Sequence, residues 1–162
     1  MPTLRDVRNA IVMLYKFGDK SLIFTPDVIK TFNSYRQIKP HQHESGGILL
    51  GRIYEHEKIV IEQISTPTSE DKSGRYFFER SVKKAQRIVN QAWWESGGEI
   101  RYLGEWHTHP EATPTPSSVD RELLKGMLND TKMEIDFLFL VIVGIRDFYV
   151  ASQHKGRKLT QL

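Results

Sequence analysis

The sequence predicts an α/β fold built as one domain over residues 1–162, with helices alternating along the chain with the strands of a central sheet. Three observations carry this expectation. The run Phe137 to Val143 is almost continuously apolar, as in a strand buried on both faces. Two stretches, Val28-Phe32-Tyr35 and Val82-Ala85-Ile88-Val89-Ala92, have the apolar spacing of helices with one buried face. The 162 residues suit a single core, since a chain of this size removes about 70% of its extended-chain surface from water on folding.

The elements follow in order. Residues 1–24 fit two periods: Val7, Ile11 and Leu14 have helical spacing, while Ser21 to Phe24 fits a short strand, and residues 1–19 read as an N-terminal extension. Thr25-Pro26-Asp27 reads as an N-cap, a proline at the first helical position and an acid in the first turn of a helix that Pro40 stops. Gly46 to Gly51 opens a compact strand, with Lys58 to Ile64 as its hairpin partner across Tyr54 to Glu57. Residues 65–75, with Pro67, Asp71 and Gly74, form a surface connection. A second helix follows, its apolar face closed by Trp93 or Trp94 before Gly97-Gly98 ends it. Ile100 to Trp106 is a strand that delivers His107 and His109. Pro110, Pro114 and Pro116 then keep the chain irregular until Ser117 or Ser118 caps a helix bearing Val119, Leu123 and Met127. The apolar run Phe137 to Val143 joins a neighbouring strand, Arg146 to Ala151, through Gly144, and residues 153–162 form a basic tail.

Composition narrows the chemistry. Hydrophobic residues at 39% and charged residues at 27% describe an ordinary globular protein rather than a disordered one. The absence of cysteine excludes disulfides, thiolate metal sites and a thiol nucleophile, so any metal must use imidazole and carboxylate ligands. No run reaches the roughly 20 apolar residues of a membrane span, and with no targeting segment at the start the expectation is a cytoplasmic protein without a membrane partner. The net charge of +3 gathers partly in Lys155, Arg157 and Lys158, which read as a solvated basic end. A nucleic-acid partner is not expected, because no stripe of Lys or Arg alternates with exposed aromatics and Trp93 and Trp94 fit helix packing.

The most informative string is Glu105-Trp106-His107-Thr108-His109-Pro110, followed by Ser117-Ser118-Val119-Asp120. Strand periodicity puts His107 and His109 on one face. Asp120, from the first turn of the next helix, completes a His₂Asp set of the kind that binds Zn²⁺ with a fourth position left open. His41 and His43 form a second pair with the same spacing, read as solvated loop histidines. Hydrolysis at such a centre needs a carboxylate to take a proton from water and return it to the leaving amine, and both Glu44 and Glu105 qualify. Ser117 reads as a helix cap, as a donor to a developing oxyanion, or as both.

Taken together these residues resemble the JAB1/MPN metalloenzyme, or JAMM, family, whose pattern is a distant Glu, then His-Ser/Thr-His, seven residues, Ser, two residues and Asp. Glu44, His107, Thr108, His109, Ser117 and Asp120 match it with no departure in spacing. The resemblance covers most of residues 20–152, although Ser45 stands where the family segment usually has cysteine. It implies a mixed, curved β-sheet flanked by helices. It also implies Zn²⁺ on His107, His109 and Asp120, Glu44 rather than Glu105 as the base, and Ser117 stabilising the tetrahedral intermediate. The short form is most similar to bacterial stand-alone members, above all the CD-NTase-associated isopeptidases of anti-phage signalling islands. That similarity implies cleavage after the C-terminal residue of a protein tag or a conjugated bacterial nucleotidyltransferase. A ubiquitin-like or sulfur-carrier processing protease and a non-catalytic MPN scaffold are the alternatives.

Overall fold

The computed structural model describes residues 3–7, 10–130 and 133–162. Three strands, β1 (Thr3–Val7), β2 (Ala10–Phe17) and β3 (Lys20–Phe24), lead into helix α1 (Pro26–Ser34) and then β4 (Gly46–Tyr54) and β5 (Lys58–Ile64). A small ribbon of β6 (Lys72–Gly74) and β7 (Phe77–Glu79) precedes α2 (Val82–Glu95), β8 (Arg101–Thr108) and α3 (Ser118–Asp130). The remaining strands are β9 (Phe137–Val143), β10 (Phe148–His154) and β11 (Thr160–Gln161). Nine strands make one mixed, curved sheet, a half-barrel in the order β1-β2-β3-β5-β4-β8-β9-β10-β11, flanked by the three helices of the described residues. Two neighbouring pairs, β3 with β5 and β8 with β9, run parallel.

Side-chain alternation sends each strand's residues to two different layers. Leu49, Leu103, Trp106, Phe139, Val141 and Val143 pack on the face covered by α1 through Val28, Ile29 and Phe32. The intervening Leu138, Leu140 and Ile142 meet Leu124 and Leu128 of α3, and Ile48 and Leu50 meet Ala85 and Ala92 of α2. The unbroken apolar run in β9 is thereby explained: both of its faces are covered. At Gly104 (φ +148°) the backbone of β8 leaves the region open to other residues and a β-carbon would overlap the Phe139 carbonyl, so only glycine admits this approach of β8 to β9.

Several expectations change. Residues 10–17 are strand, not helix: β2 pairs with β1 on one side and β3 on the other, and Ile11, Met13, Tyr15 and Phe17 supply an apolar period of two that competes with the helical one. Helix α1 ends at Ser34, where the Tyr35 N–H turns back to the Phe32 carbonyl, well before Pro40. Trp94 is 85% exposed and does not close the apolar face of α2. The basic end is not a free tail, because β11 pairs with β10 and Leu162 N–H donates to Val150 O at 2.9 Å, although the turn at Lys155–Lys158 and both β11 residues are exposed. Among the described residues no helix is long and apolar enough to cross a membrane.

Candidate metal centre

Strand β8 carries His107 to the end of the sheet, and the ladder continues one step further, because His109 N–H donates to Val143 O at 3.0 Å. Both imidazoles are thus fixed by β9, with ring centroids 5.0 Å apart. Asp120 arrives in the first turn of α3, whose start is closed reciprocally: Asp120 N–H donates to Ser117 Oγ at 3.1 Å and Ser117 N–H to Asp120 Oδ2 at 2.8 Å. Ser117 is therefore the N-cap, and its side chain lines the cleft. One ligand atom from each of His107, His109 and Asp120 lies within 4.8 Å of the others, and all three residues are buried.

The donor set fits a Zn²⁺ ion. His107 Nε2 is 2.9 Å from Asp120 Oδ1 yet makes no aligned hydrogen bond, so a buried ring nitrogen faces the cluster without a partner. A Zn²⁺ held by two imidazoles and one carboxylate would keep a position for water or substrate. The outer partner of His109 is Glu111, whose Oε1 lies 3.0 Å from Nδ1, the arrangement that fixes a ligand's tautomer and ring orientation. Burial alone would raise the Asp120 pKa, but the close approach of the His107 and His109 rings outweighs it and holds the carboxyl far below its ordinary range. Burial lowers the His109 pKa, but Asp120 more than reverses this and raises it above the ordinary imidazole value.

Glu44 faces the same cleft, of about 500 Å³, from the loop before β4. Burial is the main cause that lifts its carboxyl pKa from 4.5 to about 7; His109 opposes the shift, while Asp120 and Glu111 add to it. Its backbone is clamped from both sides. Glu44 N–H donates to Gly74 O at 2.7 Å, and Ser45 is tied to Thr108 twice, through Thr108 N–H to Ser45 O (2.8 Å) and Ser45 N–H to Thr108 Oγ1 (2.9 Å). The Thr108 hydroxyl in turn donates to Gln37 Oε1 at 2.8 Å, so the residue between the two histidines links them to the segment that carries Glu44.

Glu105, the rival carboxylate, does not line the cleft. Arg80 holds both its oxygens, at 2.6 and 3.2 Å, and the Tyr102 hydroxyl also donates to it. His41 and His43 are exposed and lie outside the ligand cluster; His43 Nδ1 reaches Ser73 Oγ at 3.1 Å. Sequence reasoning missed Glu111, which was findable as the acid two residues beyond His109. It also missed Gln37, Arg80 and the exposed aromatic wall of Tyr76 and Phe77 beside the cleft, for which separation along the chain left no signal.

Comparison with known proteins agrees with this geometry. A "CD-NTase/cGAS isopeptidase" of Pseudomonas aeruginosa (strain BWHPSA011 / Pa011) is 42% identical over 129 residues, covering 80% of each chain. Its namesake in Escherichia coli (strain TW11681) is 35% identical over 149 residues, covering 91% of each. The solution structure of a Desulfitobacterium hafniense protein shares the fold at 19% identity, with a TM-score of 0.57 over 86% of this chain and 88% of that one. Residues 34–155 match the family described as prokaryotic homologs of the JAB domain. On the strength of that match, these relatives and a JAMM-type ligand triad at the end of β8, the chain belongs to the prokaryotic JAB-domain family.

Proposed function

We propose that this protein is a zinc-dependent isopeptidase that cuts the amide after the C-terminal residue of a conjugated protein, with a bacterial nucleotidyltransferase joined through its C-terminus as the preferred substrate. The observation that carries the reading is the convergence of His107, His109 and Asp120 with Glu44 and Ser117 on one cleft. The names of the relatives support the choice of substrate.

Zn²⁺ held by the triad would polarise the scissile carbonyl and acidify a water. Glu44 accepts the proton of the attacking water and delivers it to the departing amine, a task suited to a carboxyl titrating near neutrality. Ser117 donates its hydroxyl hydrogen to the oxygen on which negative charge develops. Tyr76 and Phe77 flank an extended tail and shield it from water, while a further surface contact to the folded part of the substrate supplies affinity that a short tail lacks. Such a conjugate would be met in the cytoplasm.

The test offers the purified enzyme C-terminal isopeptide conjugates of a nucleotidyltransferase, a ubiquitin-like protein and a sulfur carrier, and locates any cut by intact mass. Cleavage of the nucleotidyltransferase conjugate at the junction is expected. Cutting of the other tags alone would reassign the substrate, and cutting only within unrelated unfolded chains would overturn deconjugation.

A further inference from the structure

A second cavity, about 540 Å³, opens between α3, from Arg121 to Asn129, and the β10–β11 turn. Arg121 and Lys125 line it from the helix, Arg157 and Lys158 from the turn, and Glu122 is the one acid in its wall. Lys125 has a loose 3.7 Å pairing with Glu122; among the described residues Arg121, Arg157 and Lys158 have no ion-pair partner. Arg157 and Lys158 belong to the basic group singled out in the sequence, and the fold gathers them with Arg121 and Lys125 into one concavity.

The wall also contains Gln153, 4% exposed. Its Nε2 donates to Arg157 O at 2.8 Å, which fixes the amide's orientation and leaves Oε1 as a buried acceptor with no partner. A buried acceptor left unpaired is unfavourable by a hydrogen bond's worth of desolvation. A ligand that donates an N–H or O–H to this oxygen on entering the cavity, and carries negative charge for the four cations, answers both features. Leu128 and Leu159 add an apolar surface beside them, and the volume falls within the roughly 300–1,000 Å³ of small-molecule sites.

We propose that this pocket binds a nucleotide, its phosphate on Arg157, Lys158, Lys125 and Arg121, its base against Leu128 and Leu159, and a base or ribose donor on Gln153 Oε1. Each part of the ligand answers a feature that a simple anion leaves unused. The site lies apart from the hydrolytic cleft and is independent of whether the proposed isopeptidase reading holds.

The experiment follows backbone amide shifts of the ¹⁵N-labelled full chain during titration with AMP, ribose 5-phosphate, inorganic phosphate and polyglutamate. AMP should give saturable shifts confined to α3 from Arg121 onward and the β10–β11 turn, and bind more tightly than ribose 5-phosphate or phosphate. The double change Arg157→Ala with Lys158→Ala, in exposed turn positions that leave the fold intact, should weaken AMP by about tenfold or more. Gln153→Met should do so at unchanged Tm; should that variant fail to fold, the double variant decides. No saturable AMP response up to about 5 mM overturns the proposal, as does equal binding of ribose 5-phosphate or phosphate, or binding of polyglutamate in place of AMP.

Discussion

At the scale of single residues, the position between the two histidine ligands is as consequential as the ligands. Thr108 Oγ1 accepts from Ser45 N–H and donates to Gln37 Oε1 in a fully buried setting. Thr108→Val keeps the shape but leaves both partners unpaired, at a stability loss of roughly 1–3 kcal/mol. Turnover should fall about tenfold or more because Glu44 is displaced, and Thr108→Ser should restore it; steady-state rates and thermal melts of both variants check this. Glu44 itself gives a pH signature in metal-free protein. Its folded pKa of about 7 lies above the ordinary 4.5, so the native state retains a proton that the unfolded chain releases, and its contribution to stability declines as pH rises from 4.5 through about 7. Metal-free Glu44→Gln should therefore gain on wild type, by a few kcal/mol at most, between pH 4 and pH 8 in chemical denaturation. A constant difference across that range would remove burial as the source of the shift. The cluster of His107, His109 and Asp120 could be read from spacing, whereas the different settings of Glu44 and Glu105 could not: strand parity favours Glu105, and only its capture by Arg80, 25 residues earlier, leaves it outside the cleft that Glu44 lines.

Among the elements, helix α3 joins a structural cap and a proposed chemical role at one residue, Ser117. Its proline-rich approach and serine cap were plain in the sequence, because turn and cap chemistry is local. The reciprocal Ser117–Asp120 bonds that aim a ligand carboxylate were not, since a cap's side-chain geometry depends on the backbone it closes. Replacing the cap separates its two roles. Ser117→Ala should lose roughly 0.5–2 kcal/mol of stability, and Ser117→Gly only a few tenths, because glycine tolerates the cap conformation. Both remove the hydroxyl, so both should lower kcat by about a hundredfold if it stabilises the oxyanion. Rates that track stability instead would leave Ser117 as a cap alone. The end of the chain shows the opposite balance: Lys155 to Lys158 is as polar and exposed as a tail, yet two backbone pairs to β10 and the packing of Leu162 hold it in place, and composition carries no trace of either.

For the whole molecule, the alternation of helices with a central sheet was readable from β9, β4–β5 and the amphipathic helices, because covered faces impose their period on the residues beneath. Strand order was not. Placing β5 between β3 and β4, and β8 beside β9 in parallel, rests on contacts distant in sequence, and the two competing periods in residues 1–24 left β1 and β2 unresolved. That topology sets the metal ligands on β8 and α3 opposite the loop before β4, so the centre is assembled only when these distant segments dock. Zinc content measured beside turnover on a C-terminal nucleotidyltransferase conjugate, for wild type and Glu44→Gln, tests this most directly. The expected result is about one Zn²⁺ per chain in both proteins, from one three-ligand site with an open position, with cleavage by wild type and nearly none by the variant. Full activity in a preparation without stoichiometric metal, or zinc-loaded Glu44→Gln cutting at the wild-type rate, would contradict it.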